Sequence, residues 1–257
     1  MGVYPLPGTS RYLMRELDRN PISRSCAIVG AGRLGTALAA ALRRTGLDVE
    51  GPLGRGAPPP AADVALLCVP DAEIAAAAAA VPPGPLVGHC SGATGLAVLA
   101  PHEAFGLHPL MTVPAEGTAV FAGAGCAVAG TTARAEACAR ELAARLGMRA
   151  TTVADEDRAA YHAAASIASN FLVTLEGAAE RLAATAGVDR ALLAPLVRAA
   201  VENWARLGAA GALTGPIVRG DEETVARQRA AVAERAPDLV PMFDALADAT
   251  RALVPVP

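Results

Sequence analysis

The stretch CAIVGAGRLGTALAAALRRTG, residues 26–46, constrains the fold more than any other part of the chain. Cys26 to Val29 is a short apolar run suited to a buried parallel strand. Gly30-Ala31-Gly32-Arg33-Leu34-Gly35 follows, then a helical pattern to about Arg44, with Gly46 placed as a C-cap. A G-x-G-x-x-G run means little alone; between a strand and a helix it marks a dinucleotide site. Gly30 permits the tight turn, Gly32 lets the backbone approach a pyrophosphate, and Gly35 lets the helix pack close to the strand. Arg33 and Leu34 stand at the helix N terminus, whose free N–H groups favour phosphate.

Further strands are expected at LDVEGPL, DVALLCVP, LVGHC, FGLHPL, CAVAG and RATTVA. Asp71 is placed to cap an Ala-rich helix that PPGP ends, and another helix is expected from about Thr132 to Leu146. Strands alternating with helices predict an α/β fold, a doubly wound parallel sheet. The alternation stops near Ala154, and the pattern is helical from Asp155 onward. The expected organisation is a loose extension over 1–24, a dinucleotide-binding domain over 25–154, and an all-α domain over 155–257.

Composition removes several function classes. Hydrophobic residues make up 53% of the 257, much of it Ala. The best spanning candidate, Ala159 to Leu175, carries Tyr, His, Ser and Asn and is short for a bilayer; it reads as a buried helix. The net charge is −3 with no basic cluster, which leaves nucleic-acid phosphates without a partner. There is no Lys, so Schiff-base chemistry and a P-loop lysine are both excluded. Five Cys, at 26, 68, 90, 126 and 138, lack metal-ligand spacing. No metal is expected, and the odd count in apolar surroundings indicates reduced thiols of the cytoplasm. Residues 1–24 contain no continuous apolar core of a secretory signal.

The end of the second strand decides between NAD and NADP. A carboxylate there serves the ribose 2′-hydroxyl, and an Arg serves the 2′-phosphate. Arg55 stands 20 residues after Gly35, whereas the competitor Glu50 lies earlier, within the strand. NADP(H) is therefore expected ahead of NAD. Val69, Pro70 and Asp71 end the third strand and should flank the cofactor. Ser91 follows the fourth strand, and His108, held extended by Pro109, ends the fifth. At about 100° per residue, His162, Ser166, Ser169 and Asn170 in YHAAASIASN share one helical stripe. Hydride transfer to a carbonyl needs a proton source. His162 is the first candidate, with Ser166, Asn170, Ser91 and His108 to orient a small-molecule substrate. An interhelical contact, or Ser bonding back to its own helix, is the structural alternative.

GAGRLGTALA, LLCVPD, HCSGATG, LHPL, YHAAASIASN and LTGPIVRGD occur in this order. Together, over about residues 25–252, they resemble a bacterial family of Rossmann-like proteins with a helical C-terminal domain of unassigned function. That family lies within the 6-phosphogluconate dehydrogenase-like superfamily. The resemblance implies NADP(H) binding and a helical domain that mediates homodimers. β-Hydroxyacid dehydrogenases of this superfamily carry a catalytic Lys and an Asn one turn later; here Ser166 and Asn170 have that spacing, and the Lys is absent. Thr214 and Arg219 in LTGPIVRGD are candidate substrate contacts, and Asp221 is a candidate N-cap. The implied activity is an NADPH-dependent reduction of a small carbonyl acid, with a ketopantoate-like 2-keto acid as the single best substrate. An imine or pyrroline-type reductase and a non-catalytic NADP sensor are the other two readings.

Overall fold

The computed structural model describes residues 24–115 and 119–254. Except for Arg24, the extension expected at 1–24 lies outside the described residues. Seven strands form one sheet: β1 (Ser25–Val29), β2 (Asp48–Leu53), β3 (Val64–Leu67), β4 (Leu86–His89), β5 (Ala104–Leu110), β6 (Gly125–Gly130) and β7 (Arg149–Thr152). Their order is β2-β1-β3-β4-β5-β6-β7. Every neighbouring pair is parallel except β5 and β6, which run antiparallel with Leu107 opposite Val128. The sheet is the mostly parallel α/β sheet expected, with one reversal at β6. A parallel return needs a crossover, usually a helix, and no helix is described between Leu110 and Gly125.

Period-two alternation sorts the side chains to two faces. On one face, Cys26, Ile28, Val64, Leu66, Phe105 and Val128 pack with α1 (Arg33–Arg44) and α3 (Ala133–Arg145). On the other, Ala65, Leu67, Val87 and Ala104 pack with α2 (Ile74–Ala79) and the 3-10 turn Leu96–Leu99. Each fully buried Leu or Ile contributes about 1.5–3 kcal/mol. Thr132 caps α3 by accepting from the Ala135 N–H at 3.1 Å. Asp71 does not cap the Ala-rich helix. It opens a 3-10 turn, α2 starts at Ile74 without a side-chain cap, and the Asp71 carboxylate is committed elsewhere.

α4 (Arg158–Ser166) is followed by a π-helical segment, Ile167–Phe171, and then α5 (Leu172–Ala184). The single regular stripe expected over YHAAASIASN is therefore interrupted. His162 and Ser166 keep their four-residue α-helical relation, but the wider π turn carries Ser169 and Asn170 off the 100° count. By its contacts the chain divides into two compact units, one ending at Ile167 and the other beginning at Ala168. Packing thus counts α4 with the first unit, whereas the strand pattern ends near Ala154.

The second unit holds α5, α6 (Arg190–Ala212, kinked at Gly208), α7 (Glu222–Arg235) and α8 (Val240–Leu253). Asp221 caps α7, accepting from the Thr224 N–H at 3.0 Å. Thr214 lines a small hollow with Ile217, Phe243 and Leu246, and Arg219 lies in the same turn before α7. No helix among the described residues is long and apolar enough to cross a membrane.

Candidate functional site

The chain leaves β1 for β2 on one side and returns to β3 on the other, so the sheet has its switch point between β1 and β3. Ligands of such sheets lie outside the carboxyl ends of the strands at that point. A cleft of about 550 Å³ opens there, lined by Gly30, Gly32, Arg55, Val69, Pro70 and Glu73 among others. Gly30 has φ 113°, open to Gly alone, and a Cβ there would sit 2.3 Å from the Cys68 carbonyl oxygen. A Cβ on Gly35 would fall 1.9 Å from the Gly30 oxygen. Gly32 differs: a Cβ there meets nothing within 4 Å. It is the N-cap of α1, its backbone is extended, and no side chain caps the helix. Uncapped N–H groups over an open glycine fit a pyrophosphate, so the residues present suit a dinucleotide.

Arg55 stands at the cleft with its side chain 83% exposed, ion-paired to Glu73 at 2.6 Å. Glu50 is exposed on β2 and is not among the residues that line the cleft. Arg33 is exposed at the first turn of α1, and Leu34 packs partly against the core.

A second polar cluster lies past β4 and β5, within the first unit. Ser91 Oγ donates to Asp71 Oδ2 at 2.7 Å and accepts from the Ala93 and Thr94 N–H groups. Thr94 Oγ1 also donates to Asp71 Oδ2, at 3.2 Å. The loop after β4 is thereby braced to the start of the 3-10 turn. His89 is fully buried; its Nδ1 accepts from the Ser91 N–H, and burial holds its pKa below the ordinary value.

Three glycines give α4 and the residues before it room against this loop and β5. A Cβ at Gly92 would come within 3.0 Å of both the His108 and His162 rings. One at Gly95 would meet Asp155, and one at Gly106 would meet the Arg158 guanidinium. Arg158 is 4% exposed, and its Nε donates to Asp155 Oδ1 at 2.7 Å.

Tyr161 Oη and His108 Nδ1 are 2.8 Å apart, with the rings edge-on. The His108 and His162 ring centroids are 6.4 Å apart. Burial, then the facing His162 and Arg158, lowers His108 to about 4. Burial raises Tyr161 to about 12. At neutral pH the pair is a neutral imidazole and a protonated phenol.

Of the residues expected from the sequence, the fold brings Ser91, His108 and His162 together, with Ser166 one turn along α4. Asn170 belongs to the second unit. Tyr161 and Arg158 enter the cluster although neither was expected there from the sequence, whereas Asp71, in the Val69-Pro70-Asp71 stretch after β3, was expected at these strand ends. Tyr161 sits in the quoted motif next to His162, and that adjacency was the available signal. No group of His, Cys, Asp and Glu among the described residues could hold a metal ion.

Residues 124–250 match a domain of unknown function, DUF2520. No curated protein matches the chain in sequence. Among solved structures it is similar to a Bacteroides fragilis protein described as an NADP oxidoreductase, at 19% identity and a TM-score of 0.76. That match covers 90% of this chain and 99% of the other. A Thermotoga maritima protein is similar at 20% identity and a TM-score of 0.71, covering 89% and 97%. A Streptomyces aurantiacus imine reductase is similar at 19% identity and a TM-score of 0.61, covering 89% and 93%. At these identities the likeness shows the fold, a Rossmann-like α/β sheet followed by helices.

Proposed function

We propose that this chain, starting from its DUF2520 segment and Rossmann-like sheet, is an NADPH-dependent reductase of a small carbonyl acid. A branched 2-keto acid of the ketopantoate type is the single best substrate. One observation carries the reading. The uncapped N terminus of α1, with Gly32 open beneath it, borders the cleft at the switch point, and Arg55 stands at that cleft. Gly30, Gly32 and the first N–H groups of α1 would hold the pyrophosphate, with Val69 and Pro70 along the wall. Arg55 would exchange Glu73 for the 2′-phosphate. The Bacteroides fragilis likeness supports the choice of cofactor.

When bound, the reduced nicotinamide supplies a hydride. The chain's own part is to hold the substrate oxygen and provide a proton. The Tyr161 hydroxyl donates to His108 Nδ1, which leaves the ring proton of His108 on Nε2. That N–H donates to the oxygen on which negative charge develops, and a neutral imidazole does this without losing its own proton. His162, exposed to solvent, takes a proton from water and passes it to the same oxygen. Asp71, Ser91 and Thr94 keep the loop, and so Gly92, fixed against both rings. Ser166 lies on the same helical face as His162 and would orient the substrate.

The test is NADPH oxidation with ketopantoate, other short 2-keto acids and cyclic imines. Tight NADPH binding with no turnover of any of them would leave a non-catalytic nucleotide binder. Turnover of cyclic imines that survives His162→Ala would favour an imine reductase, whose protonated substrate needs less acid. The imine reductase likeness and the absence of Lys support that second reading.

The second unit is read as a homodimer surface. α5 and α6 contain no buried residue, while Leu192, Leu196, Trp204 and Leu207 are all exposed. A contiguous apolar face of this kind marks an interaction site. Light scattering on the purified chain would return twice the monomer mass, and a monomer would end this part of the reading.

A further inference from the structure

We propose that Cys68 and Cys90 are a reversible dithiol–disulfide pair at the floor of the cleft, and that the disulfide form shuts out the dinucleotide. The dinucleotide part rests on the function proposed above; the thiol chemistry does not.

Leu67 on β3 pairs with His89 on β4 in parallel register, and each cysteine is the next residue along its strand. They point to the same face of the sheet and their Sγ atoms touch at 3.8 Å. Both lie just past the last paired positions, and their backbones are still held: the Cys68 N–H donates to the Val29 carbonyl at 2.7 Å and the Cys90 N–H to the Leu67 carbonyl at 3.2 Å, so the side chains must close the gap. Neighbouring strands are about 4.8 Å apart, within the roughly 4.4–6.8 Å Cα separation that a disulfide spans. Cys68 and Cys90 are both free thiols.

The two thiols differ in access. Cys68 lines the cleft, whereas Cys90 is 8% exposed. The contact with Cys68 and burial push Cys90 up, so it stays protonated. Cys68 is therefore the thiol that meets a peroxide first. Its sulfur attacks one peroxide oxygen, the O–O bond breaks, and water leaves behind a sulfenic acid. Cys90 Sγ then attacks the Cys68 sulfur. The S–S bond forms, the S–O bond breaks, and the departing hydroxide takes the Cys90 proton as a second water. Two thiols are oxidised by two electrons and one peroxide is reduced to two waters.

The consequence follows from what rests on Cys68. Its carbonyl lies directly under Gly30, and its Cβ is 3.2 Å from where a Gly35 Cβ would be. Drawing Cys68 toward Cys90 moves the support of the glycine turn that receives the pyrophosphate. In return, a bound dinucleotide covers Cys68.

The experiment treats the full chain with hydrogen peroxide, with and without NADPH, and maps the thiols by mass spectrometry. No Arg lies between Arg55 and Arg134, so cleavage at acidic residues is needed; Glu73 and Glu103 separate Cys68, Cys90 and Cys126. The expected result is a Cys68–Cys90 cross-link that forms at least tenfold more slowly with NADPH present. The cross-linked form binds NADPH at least tenfold more weakly, and dithiothreitol restores it. Cys90→Ala binds NADPH normally before peroxide and forms no Cys68 cross-link after it. Absence of the cross-link in the wild-type chain, or unchanged NADPH affinity of the cross-linked form, overturns the proposal. Reduced protein that fails to bind NADPH overturns the dinucleotide reading, while the mass map still decides the thiol chemistry.

Discussion

Tyr161, on α4, and His108, within β5 two residues before its end, are joined by a hydrogen bond of 2.8 Å across 53 residues of sequence. The bond ties the helix that carries His162 to the strand that carries His108. It also gives the imidazole a defined partner for Nδ1, and so a defined role for Nε2. Tyr161→Phe keeps the edge-on ring contact and removes the hydroxyl. Losing one such bond at about 1.4 kcal/mol should lower kcat roughly tenfold with little change in NADPH affinity. An unchanged kcat in steady-state assays would sever Tyr161 from the chemistry.

The low pKa of His108 makes stability depend on acid. The ordinary histidine value is 6.5 and the folded value is about 4. Between them the unfolded chain binds a proton that the folded chain refuses. The contribution of His108 is thus complete above about pH 6.5 and is lost as pH falls toward about 4. His89, lowered by burial, acts in the same direction. Melting temperature should therefore fall over this interval, and less steeply in His108→Gln, which cannot titrate. Identical slopes for the two proteins would contradict the burial argument.

Gly32 and Gly35 should respond oppositely to alanine. At Gly35 the added methyl collides with the Gly30 carbonyl, so stability should drop by several kcal/mol, or the chain should not fold. At Gly32 the methyl enters open space at φ −74°. Gly32→Ala should melt within about 0.5 kcal/mol of wild type yet bind NADPH at least tenfold more weakly. Thermal denaturation and fluorescence titration separate the two effects; full NADPH affinity in Gly32→Ala would remove the pyrophosphate from this turn.

Arg55 tests cofactor choice. Its pair with Glu73 is exposed and worth about 0–1 kcal/mol, so Arg55→Ala should hardly alter melting. A charge-assisted contact to the 2′-phosphate is worth roughly 1.5–3 kcal/mol. The Kd for NADPH should rise about tenfold or more while that for NADH stays put. An equal rise for both would assign Arg55 some other role.

Arg158 is held in the interior by Asp155, which is itself half exposed. Asp155→Asn leaves the guanidinium buried without its counter-charge. Destabilisation of about 1–3 kcal/mol is expected in urea titration. A difference below about 0.5 kcal/mol would mean that Asp155 does not compensate the buried charge of Arg158.

The sequence by itself determined the seven strands, the strand–turn–helix at residues 26–46 and the change to helix after Ala154. These are local signals: apolar spacing of two or 3.6, a glycine where φ must be positive, a proline where pairing stops. Arg55 at the cleft and the neighbourhood of Ser91, His108 and His162 were also legible, because strand ends of such a sheet converge. Only the tertiary structure decided the reversal at β6, the commitment of Asp71 to Ser91 and Thr94, the burial of Arg158, the Tyr161–His108 bond and the Cys68–Cys90 contact. Each depends on which residues far apart in the chain share a face and a register. An Asp before an Ala-rich run reads as a cap, and an Arg in a helix reads as solvated, until a partner strand or loop gives the side chain something nearer to bind.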